Sequence, residues 1–287
     1  MILWTAEYLE AKGVDRARLE GEHLLAHALD LERLDLYLQY DRPLTPEELD
    51  HFRPLVKRRA RREPLQYIVG SQPFRELDLL VDGRVLIPRP ETEVLVEEVL
   101  GWARGRVPEG GELDALDLGT GSGAIALSLA VEGPFRRVVA TDRSAVALEV
   151  AALNRAAAGL DERVDLREGV DFEPLTEDER FDVVVSNPPY VAERERPGLE
   201  PEVLEWEPEG ALFAGPDGLD VIRRIVAGAP ARLRDGGLLA LEIGAGQAGA
   251  VEGLLEGTEG WNSVTVRADL TGRERVVLAE RSAGRID

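Results

Sequence analysis

The sequence predicts an α/β protein: a doubly wound, mostly parallel seven-stranded sheet behind a small N-terminal helical domain and a connecting β-hairpin. Three observations predict it. From Leu113 onward, strand-like apolar runs alternate with helix-like segments. The runs are near-continuous in Val, Leu and Ala, as expected for strands covered on both faces. The first of them ends in a glycine-rich turn that opens a helix, which is where an open parallel sheet receives a ligand.

Up to about Pro73 the pattern is helical. "VDRARLEGEHLLAHALD" places Leu19, Leu24, Leu25, Ala28 and Leu29 at helix-face spacings. "TPEELDHF" opens with Thr45 as N-cap, Pro46 at the first helical position and Glu48 completing a capping box. Pro54 falls inside the same stretch, which predicts a kink or break there, and Pro64 ends it. "LDLLVDGRVLI", residues 77–87, reads as two short strands turning at Asp82-Gly83. A helix is expected after Pro90 and a surface loop at "RVPEGGELD". The strands that follow are "LDALDLG", "RRVVATD", "RVDLREG", "FDVVVSN", "GLLALEIG", "SVTVRADL" and "ERVVLAER". No helix fits between the last two, so that end is expected to be an antiparallel hairpin. The expected domains are a helical unit over 1–73, a hairpin linker over 74–90 and the sheet domain over 91–287.

Composition narrows the function. The 287 residues carry 34 basic and 55 acidic side chains, a formal charge of −21 that repels phosphates and argues against a broad nucleic-acid footprint. The exception is "RPLVKRRARRE", where residues 53–62 hold six basic side chains. It reads either as the solvated face of an amphipathic helix, with Leu55 and Val56 turned inward, or as a docking patch for an acidic partner or RNA. Cysteine is absent, which excludes a thiolate metal site and a cysteine nucleophile. The sequence shows no apolar run of membrane-spanning length and no signal peptide, so a soluble, cytoplasmic protein without a membrane partner is expected.

The cofactor loop is "DLGTGSGAIALSLA". Gly119, Gly121 and Gly123 permit a tight turn and close backbone approach to a ligand, and a helix N-terminus follows. Alone, these letters also satisfy a dinucleotide-binding pattern. Asp142, closing "VVATD", offers a carboxylate to the two hydroxyls of a ribose, with Ser144 as the competing helix cap. NAD and S-adenosylmethionine both carry adenosine, so Asp142 does not separate them.

"FDVVVSNPPY" does. An apolar strand ends in Asn187, Pro188, Pro189 and Tyr190, and the prolines cannot extend it. A planar –NH2 group attacks a methyl sulfonium poorly because its lone pair is delocalised. Two acceptors on its N–H groups return electron density to nitrogen. The Asn187 side-chain oxygen and the Pro188 carbonyl supply such a pair, and Tyr190 offers a ring for a flat group to pack on. Fixed proline dihedrals pre-organise the set. This suits methylation of a planar nitrogen and has no part in hydride transfer.

Together with "DLGTGSGAIAL", the "NPPY" segment resembles the class I amino methyltransferases. "IPRPETEVLV", "EPEGALFAGPDGLDVIRRI", "LEIG" and "DLTGRERVV" narrow the resemblance to the HemK/PrmC family, over nearly the whole chain. That resemblance implies transfer of a methyl group from S-adenosylmethionine, without metal, to the side-chain amide of the GGQ glutamine of class I peptide-chain release factors. It implies that Gly119, Thr120, Gly121, Ser122 and Gly123 cradle the methionine part of the cofactor and Asp142 its ribose. Asp171 or Phe172 stands where the family contacts adenine; tryptophan is frequent at the position of Phe172, a mild departure. Asn187, Pro188, Pro189 and Tyr190 are implied to hold the glutamine amide beside the methyl, so that Asn187 borders cofactor and substrate alike. Arg89, Glu91 and Glu93 are expected to order a loop near the site, and the helical unit to recognise the release factor. The alternatives are a ribosomal-protein glutamine methyltransferase, a nucleic-acid adenine-N6 methyltransferase, a Rossmann oxidoreductase and a cofactor-binding adaptor.

Overall fold

The structure is a computed structural model and describes residues 1–107 and 111–283, so the centre of the expected loop at "RVPEGGELD" lies outside the described residues. In chain order the first elements are α1 (Ile2–Glu10), α2 (Ala17–Leu29), α3 (Arg33–Leu38), α4 (Pro46–Arg59), α5 (Leu65–Val69), β1 (Ser71–Phe74), β2 (Leu77–Leu80) and α6 (Pro90–Arg106). There follow β3 (Leu113–Leu118), α7 (Ala124–Glu132), β4 (Phe135–Asp142), α8 (Ala145–Ala157), β5 (Val164–Glu168) and β6 (Phe181–Ser186). The last are α9 (Pro201–Trp206), α10 (Asp220–Gly228), β7 (Leu233–Glu242), α11 (Ala248–Glu256), β8 (Trp261–Ala268) and β9 (Glu274–Arg281). The chain forms two compact units, Met1–Ser71 with Leu199–Trp206, and Gln72–Gly198 with Glu207–Asp287.

In the first unit, α1 to α5 close over Leu9, Leu24, Leu25, Phe52, Val56 and Ile68. Thr45 caps α4 as its sequence predicts: its hydroxyl accepts from Glu48 N, and the Glu48 carboxylate accepts from Thr45 N at 2.9 Å. The break expected at Pro54 does not occur, and α4 runs through it. Pro54 lies on the exposed side of the helix, so water can satisfy the carbonyl one turn back that has lost its N–H partner. The basic run is also more internal than its letters suggest. The Arg59 side chain is 5% exposed and pairs with Glu20 and, at 2.8 Å, with Glu202 of α9. Arg62 binds the same Glu202 at 2.5 Å, and Arg58 binds Glu63 at 2.5 Å. These ion pairs tie α9 to a unit from which it is separated by more than a hundred residues of chain.

In the second unit a two-stranded ribbon is present, but it begins earlier than residues 77–87. β1 pairs with β2, and the chain reverses at Arg75-Glu76, with Arg75 in the left-handed region at φ 52°. Asp82-Gly83 does make a turn, with Val85 N donating to Asp82 O, yet no strand follows it. Val81, Val85 and Ile87 are all buried, so this segment packs into the unit instead of alternating along a ribbon. The seven-stranded sheet has the order β5-β4-β3-β6-β7-β9-β8. Its pairs are parallel from β5 to β7, and β9 runs antiparallel to both β7 and β8. Alternate strand residues serve two cores. Ala115, Val183, Val185 and Leu238 pack under α6 and α7, while Leu116, Leu118, Val184 and Leu239 pack under α10 and α11.

Because Arg59 is the buried guanidinium between Glu20 and Glu202, Arg59→Ala leaves Glu20 without its cation and Glu202 held by Arg62 alone. Unfolding of this variant by urea is expected to show a loss of about 3 kcal/mol in the N-terminal unit. A stability within error of the parent would show that the ion pairs contribute nothing.

Candidate active site

In the parallel part of the sheet the carboxyl ends of β3, β4, β5 and β6 share one edge, and the order reverses direction beside β3. A cavity of about 470 Å3 opens there, and each of those four strand ends contributes to it: Gly119 and Gly121 after β3, Asp142 at the end of β4, Gly169 and Asp171 after β5, and Asn187, Pro188 and Pro189 after β6. The edge is held in register by a buried tie, the Ser186 hydroxyl donating to the Leu118 carbonyl at 2.7 Å.

The glycine turn is built from both sides. Gly119 N and Thr120 N donate to the Thr141 carbonyl, and Gly123 N donates to Thr120 O. Gly119, Gly121 and Gly123 have φ of 72°, 55° and 87°, a region that L side chains avoid. A Cβ on Gly119 or Gly121 would meet nothing within 4 Å, so these two present bare backbone to the cavity. Thr120, Ser122 and Gly123 turn the other way. Thr120 donates its hydroxyl to Asp117 Oδ2 at 2.7 Å, the Ser122 carbonyl accepts from Asn154 Nδ2, and Gly123 lies against Leu127.

Asp142 is not the cap of α8. Ser144 takes that place, its hydroxyl accepting from Ala147 N, while Asp142 accepts from Gly121 N and Ser144 N with one oxygen each. Each carboxylate oxygen has a further lone pair, and the side chain lines the cavity. Of the two residues that could reach a base, Asp171 lines the cavity and Phe172 does not. Asp171 sits at φ 49° and accepts from Arg224 Nε at 2.6 Å. Phe172 instead packs on the α10 side of the core, close against Gly228.

Beyond β6, Asn187 lines the cavity with its Nδ2 donating to Thr92 Oγ1 at 3.0 Å. Thr92 donates in turn to Glu242 Oε2 at 2.6 Å, and Tyr190 donates to Glu242 Oε1 at 3.2 Å. Tyr190 is therefore anchored by its hydroxyl and is not among the residues that line the cavity. Its carbonyl is fixed as well. Gln247 Nε2 donates to it at 3.0 Å, and Gly218 passes so close that a Cβ there would lie 2.2 Å from it. Burial pushes the Glu242 carboxyl up to about 7, with the Thr92 and Tyr190 bonds opposing, Glu91 adding repulsion and Arg275 attraction. Arg89 donates to Glu207 at 2.5 Å, and Glu93 accepts from Arg75 N at 3.3 Å. Thr92 and Glu242 escaped the sequence reading. The visible signal for Glu242 was an acid closing an apolar strand; Thr92 gave none.

Beneath the glycine turn, burial pushes Asp117 up to about 7; the bonds from Thr120 and Ala126 oppose this, and Asp142 adds repulsion. Among the described residues no group of three or more His, Cys, Asp or Glu side chains could hold a metal ion. No helix among them is long and apolar enough to cross a membrane.

The residues present fit S-adenosylmethionine. Bare glycine backbone faces the cavity, a carboxylate with free lone pairs suits a ribose diol, and Val170, Val221 and Ile225 line apolar wall for a purine. Sheet order and site together define a class I methyltransferase that uses S-adenosylmethionine. Comparison with known proteins agrees. Residues 1–70 match the family model described as PrmC N-terminal domain, and residues 104–204 match Methyltransferase small domain. The fold is shared with a methyltransferase from Pyrococcus furiosus, at TM-score 0.56 and 19% identity over 79% of this chain and 98% of that one. Over nearly its whole length the chain is similar to proteins named release factor glutamine methyltransferase. That of Geobacter sulfurreducens is 49% identical over 96% of this chain and 93% of the relative, and that of Rhodopirellula baltica 39% over 98% and 95%. The chain belongs to the release factor glutamine methyltransferase family.

The raised pKa of Asp117 has a consequence for stability. Its folded value lies above its unfolded one, so its contribution is full below the ordinary carboxylate range and is lost as pH rises through about 7. Replacing it with Asn, which keeps an acceptor for Thr120, removes that dependence. Denaturation midpoints across pH 4 to 8 are expected to show the parent losing ground to Asp117→Asn as pH rises; parallel curves would mean the carboxyl is ionised throughout.

Proposed function

We propose that this protein methylates the side-chain amide nitrogen of the GGQ glutamine in class I peptide-chain release factors, in the cytoplasm. The observation that carries the reading is the Asn187 carboxamide: it lines the cavity, and its nitrogen end is committed to Thr92. Its oxygen end is then the one available to a substrate. Among the described residues no donor is seen on Asn187 Oδ1 or on the Pro188 carbonyl. Two free acceptors on adjacent residues suit the two N–H groups of one carboxamide.

When bound, S-adenosylmethionine supplies an electrophilic methyl on sulfonium sulfur. The protein's part is binding and orientation. Gly119 and Gly121 admit the methionine part against backbone, Asp142 accepts from the ribose hydroxyls, and Asp171 lies where the adenine would be held. Asn187 Oδ1 and the Pro188 carbonyl accept from the glutamine –NH2, which raises electron density on nitrogen and aims its lone pair out of the amide plane. Pro188 and Pro189 add no N–H that could compete for that lone pair. Tyr190 acts by anchoring the segment through Glu242 and Gln247. The formal net charge of −21 is consistent with a protein substrate rather than nucleic acid.

Incubation with labelled S-adenosylmethionine and a release factor is expected to label the factor, and replacing its GGQ glutamine with alanine is expected to abolish the label. Equal labelling of both would overturn the assignment. Asn187→Ala is expected to lower turnover about a hundredfold, in the range for one lost transition-state contact, with cofactor affinity within a few-fold of the parent. Asp142→Ala is expected to show the opposite pattern, weakening cofactor binding about tenfold or more for the loss of charge-assisted bonds. Unchanged cofactor affinity in that variant would remove Asp142 from the binding set.

A further inference from the structure

The hydrogen-bond chain from Glu242 to Asn187 has a definite direction. A threonine hydroxyl has one proton and two lone pairs. When Glu242 is ionised, its carboxylate, 1% exposed at the end of β7, accepts that proton at 2.6 Å. Thr92, itself 3% exposed, can then only accept from its other neighbour, and that neighbour is Asn187 Nδ2 at 3.0 Å. If the Asn187 carboxamide turned over, Oδ1 would face a hydroxyl oxygen whose proton is already committed. Relieving the clash would take the proton from Glu242 and leave a buried carboxylate oxygen bare. Tyr190 already occupies the other carboxylate oxygen.

We propose that Thr92 and Glu242 are positioning residues that lock the Asn187 carboxamide with its oxygen toward the cavity, so that only the nitrogen of a substrate amide can be presented to the methyl donor. The lock rests on the reading of Asn187 as acceptor and extends it. A turned-over Asn187 would offer Nδ2–H to the cavity. It would then select the carbonyl oxygen of a substrate glutamine and point its nitrogen away. The direction of this buried chain thus sets which atom of a carboxamide is bound beside Pro188, a discrimination the cavity shape alone cannot make because the two ends of an amide are nearly isosteric. The lock spans three separate parts of the unit, since Thr92 lies in the first turn of α6, Glu242 ends β7 and Asn187 follows β6.

Thr92→Val keeps shape and removes the hydroxyl, and Thr92→Ser keeps the hydroxyl. Thr92→Val is expected to lower kcat on a release factor about tenfold, from loss of one orienting contact, with KM and cofactor affinity within about threefold; Thr92→Ser is expected to stay within about threefold of the parent in kcat. Parent-like kcat in Thr92→Val overturns the lock, and so does equal impairment of the two variants. A second readout needs no variant at Thr92. In protein labelled with 15N at asparagine, the Asn187 side-chain signal, identified by its absence in Asn187→Ala, is expected to show slowed hydrogen exchange. Exchange at the rate of a free amide overturns the lock even if Thr92→Val does not fold. The two ideas fail separately. Full turnover in Asn187→Ala ends the acceptor role itself, whereas loss in Asn187→Ala with parent-like Thr92→Val ends only the lock.

Discussion

The site depends on the register between β3 and β6. These neighbouring parallel strands end side by side, tied by the buried Ser186 hydroxyl on the Leu118 carbonyl. One residue beyond that tie, β3 gives way to the glycine turn and β6 to Asn187. A slip of one position would exchange the faces of β6 and drive Val183 and Val185 out of the core under α6 and α7. Hydrophobic packing on both faces therefore fixes where the glycine turn and the Asn187 carboxamide meet. The prolines then stop the strand where presentation of side chain and carbonyl has to begin.

Electrostatics along β3 follows the same polarity. At its amino end Asp114 is held down at about 2 by the Arg136 guanidinium, against the cost of burial and with help from Arg234. At its carboxyl end Asp117, with no cation beside it among the described residues, is pushed up by burial. The strand is thus pinned by charge at the end away from the cavity and kept from adding a full negative charge beneath the cofactor turn. Glu242 at the end of β7 is also pushed up by burial, but the Thr92 and Tyr190 hydroxyls and the nearby Arg275 charge favour its ionised form. Hydroxyl and backbone groups hold both carboxyls, whereas arginines line the cavity elsewhere, Arg224 paired with Asp171 among them.

Much of this was legible in the letters. The seven strands stand out because each is a short apolar run with turn residues at its ends, and the antiparallel end follows from the missing helix between the last two. The glycine turn, Asp142 and the Asn-Pro-Pro-Tyr segment are local patterns with local causes. What the letters could not show depends on distance in the fold. Pro54 reads as a helix breaker because the exposure of its helix face is set by the fold and not by the letters. The Asp82-Gly83 turn looked like a hairpin because Val81, Val85 and Ile87 gave no sign of packing inward together. Thr92 was hidden between two glutamates of a helix start, and its partners Asn187 and Glu242 lie 95 and 150 residues away. The ring of Tyr190 suggests a packing platform, whereas its hydroxyl decides its place.

The central claim is that a glutamine amide is held by two oxygen acceptors beside the methyl donor. A crystal structure with S-adenosylhomocysteine and a GGQ peptide tests it most directly. The account predicts the glutamine nitrogen within about 2.7–3.2 Å of both Asn187 Oδ1 and the Pro188 carbonyl oxygen, the span of ordinary N–H···O bonds, with its amide plane facing the cofactor sulfur. A complex in which the Asn187 oxygen points out of the cavity, or in which the glutamine offers its oxygen to this pair, would contradict it.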